Sequence, residues 1–217
     1  MDKPLEAYWA LRLSAVAERL AANNFEVHLA ADLGSARDHV WSEVIGPMTP
    51  CTVSFGGSAT LAGSGLVEAV RADPKLTVID TFDKAATRET ILARRREALH
   101  ADLLLTGTNA ITANGQLVNL DMIGNRTGAI SFGPRKVVIL AGRNKLVADL
   151  DTAFRRVKEL AAPVNAMRLD KKTPCVKTGV CHDCASPERI CNVWSVVEKA
   201  YPKGRIRVVL INADLGF

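Results

Sequence analysis

Short apolar runs alternate with stretches of helical period along most of this chain, and that alternation leaves few folds open. Residues 4–23 set Leu5, Trp9, Leu13, Val16 and Leu20 at helical spacing, and the pattern stops at Asn23-Asn24. Phe25 to Ala30 then alternates like a strand. Beyond it the spacing predicts a helix over about 33–46, a strand Thr52–Phe55, a helix over about 60–72 and a strand Thr77–Asp80. A helix over 84–99 and a strand Asp102–Thr106 follow. A mostly parallel, doubly wound sheet with helices on both faces accommodates this order, because each crossover helix covers the sheet it leaves. The next section breaks the rhythm. Ala110–Ala113 and Gln116–Asn119 flank Asn114-Gly115, and Asn-Gly tolerates the positive φ that a tight hairpin turn demands. A small antiparallel hairpin insert is therefore expected. Lys136–Ala141 reads as a buried strand, Val147–Leu160 as a long helix and Arg205–Asn212 as a final strand. The predicted fold class is α/β, with residues 1–217 in a single domain. A chain of 217 residues that is 48% hydrophobic can bury a core of that size.

Charge narrows the partners. The net charge of +5 would suit nucleic acid, but aromatic residues are only 5% of the chain and no RNA-binding or helix-turn-helix signature is present. Small anionic molecules or an acidic protein fit the charge as well, and Arg94-Arg95-Arg96 reads as the solvated face of a helix. No apolar run reaches the length of a membrane span. The N-terminal residues lead straight into an amphipathic helix and resemble no signal peptide, so the expected location is cytoplasmic and stable disulfides are disfavoured.

Four of the five cysteines fall within 17 residues, inside a cysteine-rich segment over 170–195: Cys175, Cys181, Cys184 and Cys191, spaced C-x5-C-x2-C-x6-C. Thiols this close in sequence, with Pro174, Gly179 and Pro187 bending the backbone, can converge on one metal or iron–sulfur cluster at little loop-closure cost. The spacing matches neither a zinc ribbon nor a bacterial ferredoxin run, so iron–sulfur and zinc both stay open. So do reduced thiols packed as small hydrophobes, as expected of Cys51, and redox-switch chemistry. His182 lies inside the cluster but reads as an exposed loop side chain, since four thiols already complete a tetrahedral shell.

Ligands of open α/β sheets bind beyond the carboxyl ends of the strands. The first such loop is Phe55-Gly56-Gly57-Ser58-Ala59-Thr60, where two glycines let backbone approach a ligand and Ser58 and Thr60 offer hydroxyls. A tight turn with a Ser or Thr cap explains it equally well. The second is Thr106-Gly107-Thr108-Asn109. The third, Asn119 to Gly128, carries Asn119, Asp121, Asn125 and Arg126 and reads as a loop. Asp121 could act as a general base with Arg126 as an anion clamp, or the two could simply pair. Lys145, in Arg143-Asn144-Lys145 after the next strand, adds a cation that can help hold an anion.

The Gly56-Gly57-Ser58 turn, the run Ala101 to Val118 and the run Phe132 to Leu140 together resemble the LUD family, the lactate-utilisation proteins of LutC type. The terminal Asp214-Leu-Gly-Phe217 and the cysteine segment resemble a stand-alone branch of it. The resemblance implies a single LUD domain with a fold like that of the ribose-5-phosphate isomerase and CoA-transferase superfamily (NagB/RpiA-like). It also implies an accessory part in oxidising lactate or a related organic acid, beside iron–sulfur and flavin oxidoreductase subunits, with a small anionic metabolite bound. Homo-oligomerisation stays open. Two other functions compete: an isomerase- or CoA-transferase-like enzyme acting on a sugar phosphate or acyl-CoA, and a zinc-knot interaction protein. LutC-like members carry a glutamate at the hairpin turn, whereas Ala113 stands in this one, so no role for that glutamate is carried over.

Overall fold

The computed structural model describes residues 3–217. The first half of the chain forms α1 (Lys3–Ala22), β1 (Glu26–Ala30), α2 (Leu33–Val40), α3 (Gly46–Met48), β2 (Cys51–Phe55), α4 (Ala59–Gly63), α5 (Leu66–Ala72), β3 (Leu76–Ile79), α6 (Arg88–Glu97) and β4 (Leu103–Gly107). The second half forms β5 (Ala110–Thr112), β6 (Leu117–Asp121), α7 (Asn125–Ser131), β7 (Lys136–Gly142), β8 (Leu146–Val147), α8 (Leu150–Arg156), α9 (Ala162–Arg168), α10 (Pro174–Thr178), β9 (Val193–Val197) and β10 (Ile206–Ile211).

Six strands make one parallel sheet in the order β1-β10-β7-β4-β2-β3. From β2 the chain moves outward to β3 and then returns to the other side as β4. The crevice where that direction reverses, at the carboxyl ends of β2 and β4, is where ligands of such sheets bind. One face of the sheet packs Phe55, Leu105, Val138, Leu140 and Val209 against α2, α4 and α5. The other packs Leu104, Val137, Ile139, Val208 and Leu210 against Leu13, Val16 and Leu20 of α1 and Ile130 of α7. Each fully buried Leu, Ile or Val here contributes about 1.5–3 kcal/mol. The α/β class and the placement of helices on both faces agree with the sequence reading.

Several boundaries differ from expectation, each for a local reason. The predicted 84–99 helix starts at Arg88, because the Thr87 side chain caps it by accepting the Thr90 N–H. The helix that starts at Leu150, rather than Val147, runs past Leu160 through a π-helical turn, Val157–Ala161, into α9. A second π-turn, Trp41–Ile45, joins α2 to α3. Both turns lie just before a proline, Pro163 or Pro47, whose ring excludes the usual i−4 bond; Ala162 and Gly46 instead donate five residues back, to Val157 and Trp41. The expected hairpin forms as β5 and β6, but it sits in a four-stranded sheet, β8-β5-β6-β9, whose β9 was not predicted. The stretch read as a loop from Asn119 to Gly128 is instead the end of β6 and the start of α7. Among the described residues no helix is long and apolar enough to cross a membrane.

Candidate functional site

A cavity of about 230 Å³ opens at the reversal of strand order. Its floor comes from the loops after β2 and β4, and its walls from the β6–α7 junction, the turn after β7, and α9. The β2 and β4 loops touch so closely that Gly56 and Gly107 leave no room for a side chain. A Cβ on Gly56 would collide with the Thr106 hydroxyl, and one on Gly107 with the Ser58 side chain.

Nine of the residues expected from sequence line this cavity: Gly57, Ser58, Gly107, Thr108, Asn109, Asp121, Asn125, Arg126 and Lys145. Gly56, Thr60, Thr106 and Asn119 do not. Gly56 and Thr106 form the contact beneath the floor, and Thr60 stands behind it. Asn119 is fully buried on β6, with both amide atoms lacking a hydrogen-bond partner among the described residues. Ser58 serves as the cap of α4, its hydroxyl accepting the Leu61 N–H at 3.1 Å.

The charged groups are arranged unequally. Asp121 accepts from Arg126 Nη2 at 2.7 Å and Nε at 2.9 Å on one oxygen, and from the Thr127 N–H at 2.7 Å on the other. Arg126 Nη2 also donates to Asn109 Oδ1 at 2.7 Å and to the Leu120 carbonyl at 3.2 Å. Asn109 is held in turn by the Leu120 N–H. Asp121 thus spends its carboxylate on orienting Arg126 and anchoring the start of α7.

Lys145 has no such partner. It is 3% exposed, and its ammonium donates to the neutral Thr60 hydroxyl at 3.1 Å. Burial, then the nearby Arg156 and Arg126 guanidinium groups, push its amine down to about 7. Arg156 is itself lowered by burial; its Nη1 donates to the Asn109 carbonyl at 2.7 Å and its Nε to the Asn144 carbonyl at 3.2 Å. Arg95 and Arg168 complete the cationic lining, in which Asp121 is the one acidic side chain among the described residues. The low-dielectric setting makes this surplus of positive charge a strong attractor for an anion.

Sequence reasoning missed Arg95, Asn165, Arg168 and Phe217 on the cavity wall and Arg156 behind it. All but Phe217 sit in helices whose periodicity reports a solvated or packed face and gives no sign of a crevice.

The four clustered cysteines are reduced and half-buried, and together they line a separate cavity of about 20 Å³ beneath α9. Among the described residues no three His, Cys, Asp or Glu side chains are arranged to hold a metal ion. His182 accepts or donates at Thr178 Oγ1, 2.8 Å away.

A family model described as the LUD domain matches residues 13–211. The chain belongs to the LUD domain family. No curated protein matches this LUD domain by sequence. Among solved structures it is similar to a DUF162 family protein from Deinococcus radiodurans, at 13% identity and TM-score 0.47, over 94% of this chain and 97% of that one. It is also similar to eIF2B beta from Chaetomium thermophilum, at 18% identity and TM-score 0.33, over 52% of this chain and 43% of that one. Ribose 5-phosphate isomerase from Plasmodium falciparum matches at 19% identity and TM-score 0.29, over 52% and 51%. At these scores the LUD domain's architecture rests on its own strand order and not on the likenesses.

Proposed function

We propose that this LUD domain is an accessory component of lactate or related organic-acid oxidation, and that its crevice binds a small anionic metabolite. The observation that carries the ligand class is Lys145, a buried amine with no carboxylate partner, beside the buried Arg126 and half-buried Arg156 guanidinium groups. A bound carboxylate or phosphate supplies the missing counter-charge, restores full protonation of Lys145 and meets Arg126, whose Nη1 makes no hydrogen bond among the described residues. The cavity volume of about 230 Å³ suits a metabolite smaller than a drug-sized ligand. The family supports the metabolic setting, in which iron–sulfur and flavin subunits would be the oxidoreductase partners.

Calorimetric titration with lactate, pyruvate and inorganic phosphate tests the reading. Binding by at least one of these anions, lost in Lys145→Met, is expected. Equal binding of the neutral amide of lactate, or no binding by any anion, would remove it.

The same amine favours a second reading, an isomerase- or CoA-transferase-like enzyme. A lysine near neutrality inside a crevice can take a proton from a bound sugar phosphate or acyl-CoA. Turnover lost in Lys145→Met while Arg126 still binds the anion would support it. In both readings Asp121 is a positioning residue, since each of its oxygens is already engaged.

A further inference from the structure

The segment from Lys171 to Asn192 holds a single five-residue helix and no strand, yet it contributes Ile190 to the crevice wall. Ile190, 8% exposed, lines both the crevice and the small cavity bordered by the four thiols. A loop this long inside a compact domain needs something beyond its own hydrogen bonds to hold one conformation.

The four cysteines border one small cavity, and the turn that carries two of them is held through sulfur. Cys181 and Cys184 are separated by two residues, and the Asp183 N–H points back at Cys181 Sγ, 3.5 Å away. Asp183 itself sits in the left-handed region, at φ 43°, a conformation that costs free energy for a residue with a Cβ. N–H donors aimed at sulfur recur around ligating cysteines. On the far side Thr173 Oγ1 lies 3.2 Å from Cys175 Sγ. Arg189 draws the remaining two cysteines together, donating from Nη1 to the Cys184 carbonyl at 2.7 Å and from Nε to the Cys191 carbonyl at 3.0 Å. Asp183 in turn bridges Arg189 and Lys158, tying the turn to the π-helical stretch before α9.

We propose that Cys175, Cys181, Cys184 and Cys191 bind a metal centre through four thiolates, and that this centre fixes the crevice wall carrying Ile190. Each thiol gives up its proton to solvent on ligation. Two sources share this chemistry. A single zinc needs all four sulfurs about 2.3 Å from one point. The cavity's 20 Å³ has room for one ion, but no three of these groups are arranged around one. An iron–sulfur cluster spreads its four thiolates over its own body and asks less convergence of them.

Metal analysis of the full chain purified without oxygen, with visible absorption and acid-labile sulfide, separates the two. A coloured protein with iron and sulfide, bleached by dithionite, identifies a cluster; a colourless protein with one zinc per chain identifies a mononuclear site. Either supports the proposal, provided Cys184→Ser lowers the content at least several-fold. Because that variant can fail for folding reasons, the wild-type chain is also alkylated before and after chelator treatment. Four cysteines should become reactive only after chelation, with buried Cys51 unreactive in both states. Trypsin should then cut between Lys171 and Arg189 in the chelated sample alone. Neither iron nor zinc above background, with thiols reacting equally before and after chelator, would overturn the proposal; so would a mass two hydrogens lighter from a disulfide.

Discussion

Arg126 and Asp121, five residues apart, share two hydrogen bonds to one oxygen, at 2.7 and 2.9 Å, while the Thr127 N–H closes the other at 2.7 Å. Both side chains are about nine-tenths buried. Asp121→Asn leaves the guanidinium without its counter-charge, and breaking a buried pair in this way costs about 3–5 kcal/mol. For a domain of this size that corresponds to a fall in Tm of roughly 10 °C. Thermal denaturation followed by circular dichroism checks it, and an unchanged Tm would show that solvent screens the pair.

Lys145 makes two opposite pH dependences. Its amine sits at about 7 in the folded chain against an unfolded value near 10.5. Between those values the unfolded chain binds more protons, so without a ligand stability rises with pH across that window. Anion affinity moves the other way, because the bound anion needs the ammonium, and it should weaken above pH 7. Urea denaturation at pH 7 and 9 and titrations at the same two values read both slopes. Lys145→Met should flatten the first and abolish the second.

Gly107→Ala places a Cβ against the Ser58 side chain and 3.3 Å from the Leu140 carbonyl. Overpacking of this kind costs about 1–3 kcal/mol, and losing the Ser58 cap adds about 1. Lower stability with loss of anion-induced stabilisation is expected in a thermal-shift assay. Gly57→Ala is the matched control, since nothing lies within 4 Å of its Cβ.

The rings of His28 and His39 stack with centroids 3.5 Å apart and planes 3° from parallel. Burial and the Arg207 guanidinium keep His28 below its ordinary pKa; burial, His28 and Arg207 do the same for His39, against a smaller pull from Glu43. Glu26 faces this group through its ion pair with Arg207. The unfolded chain therefore takes up these protons first, and stability should fall as pH drops below 6.5. Melting curves from pH 7 to 5 test this. His39→Phe, which keeps a stacked ring, should reduce the slope, and an unchanged slope would place the acid sensitivity elsewhere.

Local pattern determined a good part of this protein. The period-2 and continuous apolar runs located β1, β2, β4, β7 and β10, and Asn114-Gly115 marked the β5–β6 turn, with Gly115 at φ 77° as such a turn requires. The rule that ligands collect at strand carboxyl ends named most of the crevice floor. These features depend on residues within one or two turns of each other, so a linear reading captures them.

Tertiary structure alone decided the rest. β9 exists because Val193–Val197 finds β6, more than seventy residues earlier in the chain, and its half-exposed side chains carry no alternation to betray it. Thr60 meets Lys145 across 85 residues, and Asn109 meets Arg156 across 47. Lysine and arginine in sequence read as solvated charge. Only the strand order carries them into a low-dielectric crevice, where desolvation and mutual repulsion lower the Lys145 amine to about 7.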